Sequence, residues 1–97
     1  MKVYIAGPIT NNPDYMFDFM KAEIDLDYDG WEVINPAVLN SSMPASTTHD
    51  EYMKLCLTML DMADAIYLLS GWEESRGACV EYGYALGTGK IILKEEQ

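Results

Sequence analysis

The sequence predicts an α/β fold, a three-layer sandwich around a four-stranded parallel sheet, and three observations carry that expectation. Short apolar, β-prone runs alternate with segments of helical period. Gly and Pro punctuate the runs, as at Gly7-Pro8 and Asn35-Pro36. The chain has 97 residues, of which 49% are hydrophobic and 23% charged, which suits one core and a single domain over 1–97. Strands separated by helices need right-handed crossovers, so the sheet is parallel. The expected strand order is 2-1-3-4, flavodoxin/Rossmann-like, with its switch point between strands one and three.

Lys2 to Ala6 (KVYIA) is the first strand and gives way at Gly7-Pro8. From Pro13 to Asp29 apolar residues recur at Phe17, Met20 and Ile24, with Met16 and Phe19 beside them, which predicts an amphipathic helix closed by Gly30. Trp31 to Ile34 is the second strand, ended by Asn35-Pro36-Ala37 because proline removes a ladder donor. Val38 to His49 is rich in Ser, Thr, Asn and Pro without a clean period and reads as a long loop. Asp50 to Ala63 carries apolar residues on nearly every side of a helix, so one face should cover the sheet and another a partner subunit. Asp64 to Ser70 is the third strand, Ser75 to Leu86 a helix ended by Gly87 and Gly89, and Lys90 to Leu93 the last strand before a charged tail, Lys94 to Gln97. In that last helix Ala78, Tyr82, Ala85 and Leu86 form the stripe expected to face the sheet.

Six Lys and Arg against sixteen Asp and Glu give a net charge of −10. A nucleic-acid groove needs clustered cations, so a polyanion partner is excluded. The longest apolar runs, such as Ala65 to Leu69, are far too short for a membrane helix. With two cysteines, Cys56 and Cys79, and no secretory leader behind Met1-Lys2, reduced thiols and a cytoplasmic location are expected. His49 is the only histidine, which leaves no basis for a His-dependent triad or metal centre, and neither metal nor cofactor is expected. The phosphate-binding glycine motifs and the G-x-S-x-G elbow are also missing.

Ligands of such sheets lie at the carboxyl ends of the strands near the switch point, which singles out the loops Gly7 to Asn12, Asn35 to His49 and Ser70 to Gly77. Ser75 stands at an N-cap position with Arg76 and Gly77 behind it, so its hydroxyl and the following amides either cap the helix or cradle an anion as well. Glu81 falls at the margin of the sheet-facing stripe, either solvated or turned along a lane of small residues toward a substrate. Trp72 either stacks on a base or buries at an edge.

The ordered set Tyr4-Ile5-Ala6-Gly7-Pro8-Ile9, Asn35-Pro36-Ala37, Asp64-Ala65-Ile66-Tyr67, Gly71 to Gly77, and Glu81 before Ala85-Leu86-Gly87 resembles the nucleoside 2-deoxyribosyltransferase superfamily. Within it the chain is most similar to a short, phage-associated branch, with features of the branch that hydrolyses deoxynucleoside 5′-monophosphates. The resemblance spans nearly the whole chain. It implies that Glu81 is the nucleophile, that Tyr4 orients it, and that Ser75 holds a 5′-phosphate. Gly7, Pro8, Ile9, Trp72, Arg76 and Gly77 complete the expected substrate contacts. The implied reaction is cleavage or exchange of an N-glycosidic bond through an oxocarbenium-like transition state, which a carboxylate stabilises or captures.

Three departures from the superfamily's pattern bear on activity. An aspartate is implied eight residues before Asp64, where this sequence has Cys56. Asp50 and Asp61 are the nearest carboxylates that could replace it. Thr10 stands where the monophosphate-cleaving branch has arginine, and the sequence stops soon after strand four, short of the segment that completes a neighbour's site in longer members. The expected partner is a small nucleotide or nucleoside, in a homodimer or larger homo-oligomer. The competing expectations are an impaired nucleotide-binding module and an acidic dimeric interaction protein.

Overall fold

Strand β1, Lys2–Ala6, is the spine of the computed structural model, which describes residues 1–96. Its residues from Val3 to Ala6 are buried on both faces, as a central parallel strand requires. It pairs in parallel with β2 (Glu32–Ile34) on one side and β3 (Ala65–Leu68) on the other. Strand β4 (Ile91–Lys94) lies outside β3, giving the order β2-β1-β3-β4 that the alternating pattern predicted. The charged tail extends the sheet edge at Glu95, whose side chain accepts from the Ser70 amide at 2.9 Å; Gln97 lies outside the described residues.

Helix α1 (Tyr15–Tyr28) covers one face, packing Phe19, Ala22 and Leu26 on Val3, Ile5 and Ala65. The expected apolar stripe of α1 is corrected here. Phe17, Met20 and Ile24 are 69%, 42% and 65% exposed, because Phe19, Ala22 and Leu26 on the other side of the helix meet the sheet instead. Helices α3 (His49–Asp61) and α4 (Arg76–Gly87) cover the other face, where Leu60, Ala78 and Ala85 pack on Tyr4, Ala6, Ile66 and Leu68. Full burial of a side chain such as Leu60 or Phe19 stabilises by about 1.5–3 kcal/mol. Leu86 is 53% exposed rather than part of the sheet-facing stripe. Its place is taken by Glu81, one helical turn from both Ala78 and Ala85.

Part of the expected loop is helical. Helix α2 (Pro36–Ser42) starts where Asn35 leaves β2, because the Asn35 side chain accepts from the Ala37 amide at 3.0 Å and Pro36 needs no partner at the first helical position. Helix α3 begins one residue earlier than its periodicity suggests, at a capping box. Thr48 accepts from the Glu51 amide, and the Glu51 carboxylate accepts from the Thr48 amide at 2.8 Å. No helix among the described residues is long and apolar enough to cross a membrane.

Candidate active site

The carboxyl ends of β1 and β3 open into a cavity of about 950 Å³, roofed by α2 and by the amino ends of α3 and α4. All three loops singled out by the switch-point argument contribute to its wall. Gly7, Pro8 and Ile9 lead from β1, and Asn12 stiffens that loop by donating to the Pro8 carbonyl at 3.0 Å and to Asp18 at 3.1 Å. Gly7 is required by close approach, since a Cβ there would lie 2.7 Å from Leu69 Cβ. Gly71 turns the chain after β3 with φ of 86°, a left-handed conformation natural to glycine.

Tyr4 and Glu81 meet at the cavity floor. Tyr4 is fully buried on the α3/α4 side of β1, and its hydroxyl donates a hydrogen bond to Glu81 Oε2. Glu81 is 6% exposed and is the buried charged residue of the described chain. Burial pushes its carboxyl up from 4.5 to about 7, the dominant effect, while the Tyr4 hydrogen bond pulls the other way by favouring the anion. Burial likewise holds the Tyr4 phenol well above its usual range, with Glu81 and then Cys56 adding to the effect. The site therefore carries a neutral phenol against a carboxyl group poised to change charge near neutrality.

Ser75, Arg76 and Gly77 stand at the amino end of α4 and line the same cavity. Ser75 Oγ accepts from the Ala78 amide at 3.2 Å, so the serine does cap its helix. Its O–H proton remains free to donate, and the amides of Arg76 and Gly77 precede the first intrahelical bond. Two outcomes that the sequence left open are thus compatible in one residue. Trp72 is not among the cavity-lining residues. Its ring lies 4.7 Å from Tyr82, with Lys94 Nζ 5.7 Å above it, so it packs at an edge.

Helix α3 supplies four wall residues, of which His49 and Cys56 were already singled out by the sequence and Tyr52 and Met53 were not. His49, Tyr52, Met53 and Cys56 follow a helical i, i+3, i+4, i+7 spacing and all line the cavity. That spacing was visible in the sequence, but the segment's many apolar residues hid which face mattered. Tyr52 donates to the Asn40 carbonyl at 3.2 Å and ties α3 to α2 across the roof. His49 and Met53 crowd Gly77, where an added Cβ would lie 3.3 Å from Met53 Sδ and 3.7 Å from His49 Cε1. One apolar side of α3 is therefore cavity wall, while Leu55 on the helix and Met62 at its C-cap stay exposed on another side.

Cys56 lies against the Tyr4–Glu81 pair, and burial pushes its thiol up, so it is protonated at neutral pH. Neither alternative carboxylate is a cavity residue. Asp61 instead accepts from the Tyr84 hydroxyl at 2.5 Å, and Asp50 is exposed. Besides Glu81, the acidic residue lining the cavity is Glu74.

A sequence profile of the family described as "Domain of unknown function (DUF4406)" matches residues 1–94. The chain belongs to this family. A search of curated proteins finds no match. Among solved structures, a 2-desoxiribosyltransferase from Leishmania mexicana has the same fold, with a TM-score of 0.71 and 22% identity over 96% of this chain. This chain spans 62% of the length of that one. The member of the DUF4406 family described here thus has the parallel α/β architecture of that protein, with Tyr4 and Glu81 at the carboxyl edge of its sheet.

Proposed function

We propose that this chain cleaves or exchanges the N-glycosidic bond of a deoxynucleoside or its 5′-monophosphate, with Glu81 as nucleophile. One observation carries the reading: a buried carboxyl group, held by the Tyr4 hydroxyl, faces a cavity large enough for a nucleotide. The fold shared with a 2-desoxiribosyltransferase supports it.

In the proposed step the Glu81 carboxylate attacks the anomeric carbon while the carbon–nitrogen bond breaks and its electron pair leaves with the base. A glycosyl ester remains. Water attacking that ester gives the free sugar, and a second base gives a new nucleoside. Tyr4 fixes the carboxylate's direction and, being a neutral donor, leaves it the only anion at the floor. Low exposure strengthens the attraction between Glu81 and the developing positive charge relative to bulk water. Ser75 Oγ–H, the Arg76 and Gly77 amides and the Arg76 guanidinium would hold a 5′-phosphate, while Gly7, Pro8 and Ile9 bound the sugar's side of the cavity. The two free thiols, Cys56 and Cys79, accord with the reducing cytoplasm in which free nucleotides occur.

The test is to incubate the protein with deoxynucleosides and their monophosphates, resolve free base by chromatography, and look for a sugar adduct on Glu81 by mass spectrometry. Release abolished by Glu81→Ala supports the reading. No release, with wild type and variant alike, removes it.

A specific observation favours a second reading, a nucleotide-binding module without turnover. The departing base needs a proton, and the group beside the Tyr4–Glu81 pair is the Cys56 thiol rather than a carboxylic acid. This reading expects saturable calorimetric binding of monophosphates without base release, and a flat titration would eliminate it. Homodimerisation is proposed through the exposed Leu55 of α3, Met62 at its C-cap and Val80 of α4. Sedimentation as a monomer at micromolar concentration would overturn it.

A further inference from the structure

The outer face of α1 is an apolar surface that the proposed chemistry does not use. At 100° per residue Phe17, Ile24 and Tyr28 fall within about 40° of one another, opposite the buried Phe19, Ala22 and Leu26. They are 69%, 65% and 90% exposed, and Met20 lies beside them. Phe17, Met20 and Ile24, with Lys21 and Asp25, wall a groove of about 240 Å³. A helix apolar on its solvent side as well as its core side has more apolar surface than its own domain covers.

Charge decides what fits there. Residues 14–29 contain Asp14, Asp18, Glu23, Asp25, Asp27 and Asp29 against Lys21, so 1 − 6 gives −5, half of the chain's −10. Asp18 and Glu23 already accept from Asn12 and Asn35, which leaves Asp14, Asp25, Asp27 and Asp29 exposed along the rim. Their field reaches strand β3 of the sheet beneath. After burial, the causes pushing the Tyr67 phenol up are Glu95, Asp25, Glu96 and Asp29. A second copy docked through this ridge would bring twelve carboxylates together against two lysines, and an anionic lipid surface would be repelled as well.

From this juxtaposition we infer that the apolar ridge of α1 is a docking site for a basic amphipathic helix of another protein. Apolar side chains of that helix enter the groove between Phe17, Met20 and Ile24, and flanking Lys or Arg residues meet the carboxylate rim. None of Phe17, Met20, Ile24 and Tyr28 lines the cavity at the carboxyl edge of the sheet, so the inference is independent of the proposed chemistry.

The probe is a fluorescein-labelled helical peptide of leucine and lysine, with leucine at i, i+3, i+4 and i+7, titrated with the full chain and read by anisotropy. Saturable binding is expected. It should weaken at least about tenfold in a Phe17→Ser/Ile24→Ser variant, since two apolar anchors are lost. It should also weaken as salt rises from about 50 to about 300 mM. A Leu86→Ser/Ile91→Ser variant on α4 and β4 should bind as wild type does, and thermal melts show that each variant is folded. Equal affinity in the α1 variant, or equally tight binding of a leucine–glutamate peptide, would overturn the inference. So would a wild-type dimer that the α1 variant dissociates, since the occupant would then be a second copy, or stronger binding to zwitterionic lipid vesicles than to the peptide.

Discussion

Replacing Glu81 with glutamine should make the protein more stable, and more so as pH rises. The carboxyl titrates at about 7 in the folded chain against 4.5 for the exposed group. The folded state therefore holds a proton that the unfolded state has released between those values. Stability from this group is fully present below pH 4.5 and is lost as pH rises through about 7. A displacement of 7 − 4.5 = 2.5 units corresponds to a total of about 3 kcal/mol at 1.36 kcal/mol per unit. At 6% exposure there is little solvent screening to discount. Glutamine keeps an oxygen that accepts from Tyr4 but never ionises, so the variant escapes this cost.

Urea unfolding of both proteins at about pH 5 and about pH 8 measures the effect, and comparing the two cancels the titrations they share. Most of the cost accrues within that interval, so the stability gap in favour of Glu81→Gln should widen by about 2 kcal/mol. For a domain of this size that is a relative shift in Tm of about 10 °C. A gap that stays constant across the interval would refute the reasoning, because it would mean that the carboxyl is as well hydrated when folded as when unfolded.

Three further outcomes follow from the same geometry. Tyr4→Phe removes the hydrogen bond that favours the anion, so the rising limb of base release against pH, with its midpoint near 7 in wild type, should move upward and the rate should fall; an unmoved midpoint would show that Tyr4 does not control the carboxyl. Ser75→Ala should cost about 1 kcal/mol of stability through the lost N-cap, in urea unfolding, and should raise KM for a monophosphate more than for the corresponding nucleoside. Gly7→Ala drives a Cβ to within 2.7 Å of Leu69 Cβ, which cannot swing aside as a side-chain end would, so a loss of about 1–3 kcal/mol is expected in the same unfolding assay.

The sheet was legible because each strand is a short β-prone run closed by punctuation, and the crossover rule then left few topologies. Strand β1 matches its expected limits at both ends, from Lys2 to Ala6. Helix α2 was hidden because seven residues contain less than two full periods, and its Ser and Asn content reads as loop. Its true signal was Asn35 before Pro36, an N-cap followed by the residue best suited to the first helical position. The α3 start was equally readable in Thr48-x-x-Glu51. In α1 the error had another cause. Large apolar residues lie on both sides of that helix, and size alone does not tell which side meets the sheet. Tyr4 and Glu81 could be paired in advance only through the family resemblance, because 77 residues separate them and no periodicity links a strand to a distant helix.

The acidic net charge and the proposed phosphate subsite make opposite demands, and the distance between Ser75 and Glu81 shows how they interact. Six residues of helix separate them, a rise of about 9 Å. A phosphate held at Ser75 therefore lies close enough to oppose ionisation of Glu81, by about 2 kcal/mol per unit charge at an effective dielectric of 20, before Arg76 offsets part of it. A net effect of about one pKa unit remains, and its sign is upward because like charge disfavours the anion. The pH profile of kcat for a deoxynucleoside monophosphate should thus have its rising limb about one unit above that for the matching deoxynucleoside. Shared midpoints would place the phosphate elsewhere, with its charge screened from Glu81. A lower midpoint for the monophosphate would mean that the cationic side chain and the helix amides, rather than the phosphate they bind, dominate the field at the carboxylate.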